Sequence, residues 1–167
     1  IVLTGAGDSW SAGMDLREYF RATDNDPTAQ FRSFMANKHW SWEILSQSRK
    51  ATIAMVNGVA VGGGFDLVAT CDMAVGSENA RFMVAYVRRG LFPDLGGFWV
   101  LPRIVGPRKA MQIITTADFV EADEAKELGI LNELVPHERL RQETLAMAHR
   151  IAANPPIAVR LSKMLIW

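Results

Sequence analysis

Along this chain, short runs that are apolar at every position alternate with longer stretches whose apolar residues recur every three or four positions. The first kind predicts strands covered on both faces, the second amphipathic helices. Residues 1–4 are an apolar run closed by Gly5 and Gly7, and residues 15–22 space Leu16, Tyr19 and Phe20 as one helical face. After the polar loop TDNDPT, residues 29–48 carry Phe31, Phe34, Met35, Trp42 and Leu45 at helical spacing, which predicts one long amphipathic helix. Residues 51–56 (ATIAMV) read as a covered strand that runs into the loop NGVAVGGG, after which FDLVATC predicts a short helix.

MAVGS and ARFMVA predict two further strands, and GLFPDLGG a turn-rich loop. Residues 98–116 predict one or two helices interrupted at Pro102 and at Gly106-Pro107. Residues 122–128 form a helix ended by Gly129, ILNELV is one more strand, and residues 137–153 and 156–166 complete a helical end. Alternating strands and helices imply an α/β layered fold whose sites lie at the C-terminal ends of strands. Residues 1–136 read as its core, and residues 137–167 as the start of a C-terminal helical region.

Of the 167 residues 49% are hydrophobic, enough for one ordinary core. Eighteen Lys and Arg balance eighteen Asp and Glu, so no net field draws the chain to polyanions, which argues against nucleic acid as a partner. Cys71, the one cysteine, sits in an apolar stretch and reads as a buried thiol in a reducing, cytoplasmic setting. The uncharged run 51–65 is shorter than the roughly 20 residues a bilayer needs and is broken by Asn57 and four glycines, so no membrane span is expected. No His, Cys and carboxylate set stands at ligand spacing, so no metal is implied. The chain opens on Ile1 inside a strand, which reads as truncation, expected at both ends.

Two segments share one design, a strand that breaks into glycines before a helix: LTGAGDSWSAGMDL and MVNGVAVGGGFDL. Neither is a nucleotide fingerprint. Trp10 stands where G-x-G-x-x-G needs its third glycine, and the second segment lacks the Lys-Ser/Thr of a P-loop. Both offer backbone amides at helix N-termini, Met14 after Gly13 and Gly63 within Gly62-Gly63-Gly64. Such amides either bind developing negative charge as an oxyanion hole or belong to ordinary tight turns.

These segments, with ARF, LPRIVGPRKAMQIITT and EADEAKELGILNELVP in the same order, resemble the crotonase superfamily, the enoyl-CoA hydratase/isomerase family, from residue 1 to about residue 136. The opening block is most similar to the hydroxycinnamoyl-CoA hydratase-lyase branch. The resemblance implies a crotonase-like spiral of ββα units with a helical C-terminal region, assembled as a homotrimer or a dimer of trimers. It implies an acyl-CoA thioester as substrate, with coenzyme A as part of that substrate and no separate cofactor. The thioester oxygen would meet the amides of Met14 and Gly63, flanked by Gly62 and Gly64, and the nucleotide end would lie near Ser11, Ala12 and Asp15.

Carried over residue by residue, Asp66 matches the first catalytic carboxylate of the hydratases, and Tyr86 stands where they carry a second glutamate. A phenol with a pKa near 10 is a poor base at neutral pH, so this is not a two-glutamate hydratase, and Tyr86 counts with the catalytic set either as pocket wall or as a proton carrier. Asp94, eight residues past Tyr86, matches an additional aspartate of dienoyl-CoA isomerases and also the nucleophile of aryl-CoA dehalogenases. In the dehalogenase pattern His39 would be the base. Asp66 and Asp94 are expected to do the acid-base work of a lyase or isomerase. Aryl-CoA substitution by Asp94 and His39 is one alternative, and a non-catalytic acyl-CoA-binding or RNA-binding relative is another.

Overall fold

The computed structural model describes residues 1–21, 25–92 and 96–167. Among these, two four-stranded sheets are wound together. Strands β1 (Val2–Thr4), β3 (Ile53–Val56), β5 (Met73–Ser77) and β8 (Glu133–Val135) pair in that order, all parallel. Strands β2 (Ser9–Ser11), β4 (Val59–Val61), β6 (Arg81–Met83) and β7 (Val120–Glu121) form the other, parallel as far as β6 and antiparallel at β7. Each early turn of the chain lays one strand in each sheet before a helix or helical turn carries it round, which is the expected ββα spiral.

The strands β2, β4 and β7 lie where the sequence pattern reads as glycine loop or gives no strand. At two or three residues each, they are too short to show a period, and their pairing comes from neighbours distant in sequence. The first sheet holds to the covered-strand pattern: Ile53, Ala54, Val56, Ala74 and Val75 are buried. A Cβ at Gly76 would lie 2.5 Å from the Leu131 side chain, so glycine lets Leu131 pack directly on β5.

The described residues also form seven α-helices: α1 (Pro27–Asn37), α2 (Gly63–Thr70), α3 (Gly97–Val105), α4 (Pro107–Thr116), α5 (Ala122–Glu127), α6 (Leu140–Ala152) and α7 (Pro156–Ile166). The long helix expected over residues 29–48 is in fact two pieces, α1 and a π-helical stretch Lys38–Ile44. Asp26 caps α1 by accepting the Thr28 and Ala29 amides at 3.0 Å each, and Pro27 supplies the first helical residue. Leu45 is buried, but α1 itself has no buried residue.

Pro102 does not interrupt α3. The hydrogen bond it forfeits would have gone to the carbonyl of Phe98, an exposed residue that water can reach, and the chain breaks only at Gly106, whose φ is 79°. The main core gathers Phe65, Phe82, Val84, Leu101 and Leu131 with residues of both sheets, among them Val56 and Ala74 of the first and Ala60 of the second. A smaller core of Ile53, Val75 and Leu140 sits under α6 on the first sheet.

Candidate active site

Because β2 and β4 run parallel and adjacent, the glycine segments leaving their C-terminal ends lie against one another. Gly13 has φ 87° and Gly62 φ 55°, both in the left-handed region that favours glycine. A Cβ on Gly13 would lie 3.0 Å from the Gly63 nitrogen, and one on Gly64 would lie 2.2 Å from the Ser11 carbonyl oxygen. The two backbones therefore touch with no room for side chains between them. Gly63 opens α2, where an amide has no intrahelical acceptor, and neither it nor the Met14 amide donates to a protein acceptor among the described residues. The Met14 thioether accepts a hydrogen bond from Asn37 Nδ2 at 3.0 Å.

Asp66 follows in the first turn of α2 and is fully buried, with its amide donating to the Gly62 carbonyl at 3.1 Å. Tyr86 lies on a 3-10 turn, Ala85–Arg89, and not on a continuation of β6; it is buried, and its hydroxyl donates to Asp66 Oδ2. The residue expected as pocket wall or proton carrier is thus hydrogen-bonded to the carboxylate itself. On the other side, a Cβ on Gly97 would lie 2.0 Å from Asp66 Oδ1. The N-terminal end of α3, where the helix dipole favours negative charge, is pressed against that oxygen.

The remaining expectations spread out. Asp94 lies outside the described residues. His39 is not brought to Asp66: its ring is 68% exposed, with Nδ1 2.9 Å from Glu43 Oε2 one turn further on. Asp15 Oδ1 accepts the amides of Arg17 and Glu18 at 2.7 and 3.0 Å, which holds its carboxyl below the ordinary carboxylate range. Ser11 Oγ accepts from the Gly13 amide at 3.1 Å, and Ala12 is exposed. Cys71 is buried, and burial pushes its thiol from an ordinary 9.0 to about 12. No group of three or more His, Cys, Asp or Glu side chains that could hold a metal occurs among the described residues.

Two residues went unread in the sequence. Asn57 is buried just after β3 and hydrogen-bonds two backbone groups of the loop before β2 and one at the start of β2; Trp10 is buried, and its indole N–H donates to the Gly64 carbonyl at 2.8 Å. A polar residue ending an apolar strand was the available signal for Asn57.

The family model for enoyl-CoA hydratase/isomerase matches residues 1–166. The chain belongs to the enoyl-CoA hydratase/isomerase family. Among its relatives in the crotonase superfamily, it is 37% identical to the hydroxycinnamoyl-CoA hydratase-lyase of Pseudomonas fluorescens, over 98% of this chain and 59% of that protein. It is 36% identical to a 4-chlorobenzoyl coenzyme A dehalogenase of an Arthrobacter species, over 93% of this chain and 56% of that protein. Its fold superposes on the crystal structure of an enoyl-CoA hydratase from Bacillus anthracis with a TM-score of 0.90 at 35% identity, over 99% of this chain and 63% of that one. This member of the family therefore spans less than two thirds of the length of the relatives it matches.

Proposed function

We propose that this chain is the thioester-handling core of an acyl-CoA-processing lyase or isomerase. The amides of Met14 and Gly63 stabilise an enolate oxygen, and Asp66, oriented by Tyr86, moves the proton at the acyl chain. Asp94 serves as the second acid-base carboxylate, and the coenzyme A moiety runs past Ser11, Ala12 and Asp15, flanked by Gly62 and Gly64. One observation carries this reading: the Gly13 backbone closes on the Gly63 amide, and that amide opens the same helical turn that carries a fully buried carboxylate. Removing one oxyanion donor costs about 3 to 4 kcal/mol where it has been measured, so two such amides can supply much of an enolisation barrier. Coenzyme A enters as part of the substrate, and the chemistry asks for no metal. The functional unit is a homotrimer or dimer of trimers in the cytoplasm; no described helix is long and apolar enough to cross a membrane.

The test is incorporation of solvent deuterium at the acyl α-carbon in D2O, by direct proton removal from a 3,5-dienoyl-CoA and by reversible water addition to crotonyl-CoA and feruloyl-CoA, with a 4-halobenzoyl-CoA, which has no α-proton, followed for halide release. Exchange on at least one aliphatic or hydroxycinnamoyl thioester is expected, slowed about 10²- to 10⁴-fold by Asp66→Asn. A second reading, substitution on an aryl thioester, is favoured by the dehalogenase relative. It predicts halide release without exchange, and the exposed, Glu43-paired ring of His39 speaks against His39 as its base.

A further inference from the structure

We propose that Asn57 and Trp10 are positioning residues that set the two amides level with one another, a role that rests on the oxyanion reading above. The strand pairing carries the argument. Ser9 stands opposite Val59, but Ser11 stands opposite Ala60, so β2 spends two residues where β4 spends one, and Trp10 is the extra residue of a bulge. Continued past the strand ends, the bulged register brings Met14 level with Gly63. Unbulged pairing would bring Gly13 there instead. The observed close approach of Gly13 to both the Val61 carbonyl and the Gly63 nitrogen, 3.0 Å to each from an ideal Cβ, agrees with the bulged count.

Two side chains hold that extra residue in place. The Trp10 indole, turned into the core, donates to the Gly64 carbonyl at 2.8 Å, tying the bulge to the helix that carries Gly63. Asn57 anchors the chain just before the bulge: its Oδ1 accepts from the Gly5 amide at 3.2 Å, and its Nδ2 donates to the carbonyls of Gly7 at 2.8 Å and Ser9 at 3.2 Å. Its own carbonyl accepts from Ser77 Oγ at 3.3 Å, so the anchor is itself fixed to β5. The side chain that rules out a dinucleotide fingerprint is, on this reading, the one that phases the oxyanion donors.

The experiment uses a chromophoric thioester, 4-(dimethylamino)cinnamoyl-CoA, whose absorption moves to longer wavelength when hydrogen bonds polarise its carbonyl. The unaltered protein should give such a shift on binding. Trp10→Phe keeps one aromatic ring in the core and removes the indole donor, and Asn57→Ser keeps a small polar group. Each should cut the shift to less than half and slow α-proton exchange at least tenfold, with KM changed less than about threefold. An unfolded fraction would lower the apparent rate but leave the shift per bound thioester unchanged, and Trp10→Phe decides the matter if Asn57→Ser does not fold. A full shift and full rate in Trp10→Phe overturn the positioning role while leaving the amide site intact. No shift with the unaltered protein removes the amide site, and this role with it.

Discussion

At the scale of single residues, the Asp66 carboxylate is gripped from two sides, and each grip predicts a phenotype. Tyr86→Phe leaves the ring in the core but removes the donor to Oδ2. It should destabilise the fold by about 1 to 3 kcal/mol and slow proton exchange, because a buried acceptor loses one of its hydrogen-bond donors. Gly97→Ala inserts a methyl group 2.0 Å from Oδ1, so the carboxylate or α3 must move; urea unfolding should read a loss of about 1 to 3 kcal/mol and exchange kinetics a fall in kcat. Wild-type rates in both variants would remove Asp66 from the chemistry. Cys71 gives a prediction about pH. Its folded-state pKa lies above its unfolded value, so it favours the fold fully below about pH 9 and loses that contribution as pH rises toward about 12. The slope approaches about 1.4 kcal/mol per pH unit within that window. Cys71→Ala should flatten the alkaline limb of stability, and the native thiol should resist alkylation at pH 8 until the chain is unfolded. Asp66 was legible as a site residue only through its family motif. Its bond to Tyr86 was not, since the two residues lie on different elements and meet only when α2 packs against the turn after β6.

At the scale of elements, what could be read in the sequence tracks length and local chemistry. β3, β5 and α2 show in the pattern because their apolar runs are buried almost throughout, and β1 shows as a half-buried apolar run closed by glycines. α5 shows through Gly129, whose φ of 80° suits the glycine that ends a helix. β2 and β4 do not show, because a three-residue strand among glycines has no period and exists only where its partner lies beside it. The π-helical stretch after α1 is equally invisible, since its apolar spacing still fits a helix. Pro102 misleads in the opposite sense, as one lost bond near an exposed helix start is cheaper than a break in a helix that buries Val100 and Leu101. The cap of α1 supplies a prediction at this scale. Asp26 accepts two amides, and none of the α1 side chains is buried to compensate for its loss, so Asp26→Ala should fray the helix at a cost of about 1 kcal/mol. Amide exchange at Thr28 and Ala29 should quicken while that of α2 stays unchanged; equal protection in the variant would show that the cap contributes nothing.

At the scale of the molecule, helical periodicity tells which face of a helix seeks cover but not where the cover comes from. Phe31 on α1 and Ile157, Leu165 and Ile166 on α7 remain exposed, so α7 is not held mainly by its apolar face. It is held by a polar tie. Lys163 is 5% exposed at its side chain and donates to Asp72 Oδ2 at 2.8 Å and to the Leu45 carbonyl at 2.7 Å. Asp72 Oδ2 also accepts the Thr52 amide and hydroxyl at 2.6 and 2.9 Å, and its Oδ1 accepts the Trp167 indole at 2.8 Å. One carboxylate thus joins the entry to β3, the turn between α2 and β5, the last turn of α7 and the residue that follows it. Beside this tie lies a cavity of about 520 Å³ lined by Ile151, Val159 and Ile166, so little packing would replace it. Lys163→Met keeps the aliphatic stem but takes the cationic partner from Asp72, whose side chain is only 13% exposed, which should cost about 3 to 5 kcal/mol in urea unfolding. Adding Asp72→Asn removes the stranded charge, so the double variant should be less destabilised than the sum of the two single ones. Because Trp167 stacks on Trp99 at 6.0 Å, release of α7 should also shift tryptophan emission at urea concentrations below the main transition. A loss under 1 kcal/mol in Lys163→Met, with a single coincident transition, would mean that α7 is held by its apolar contacts after all.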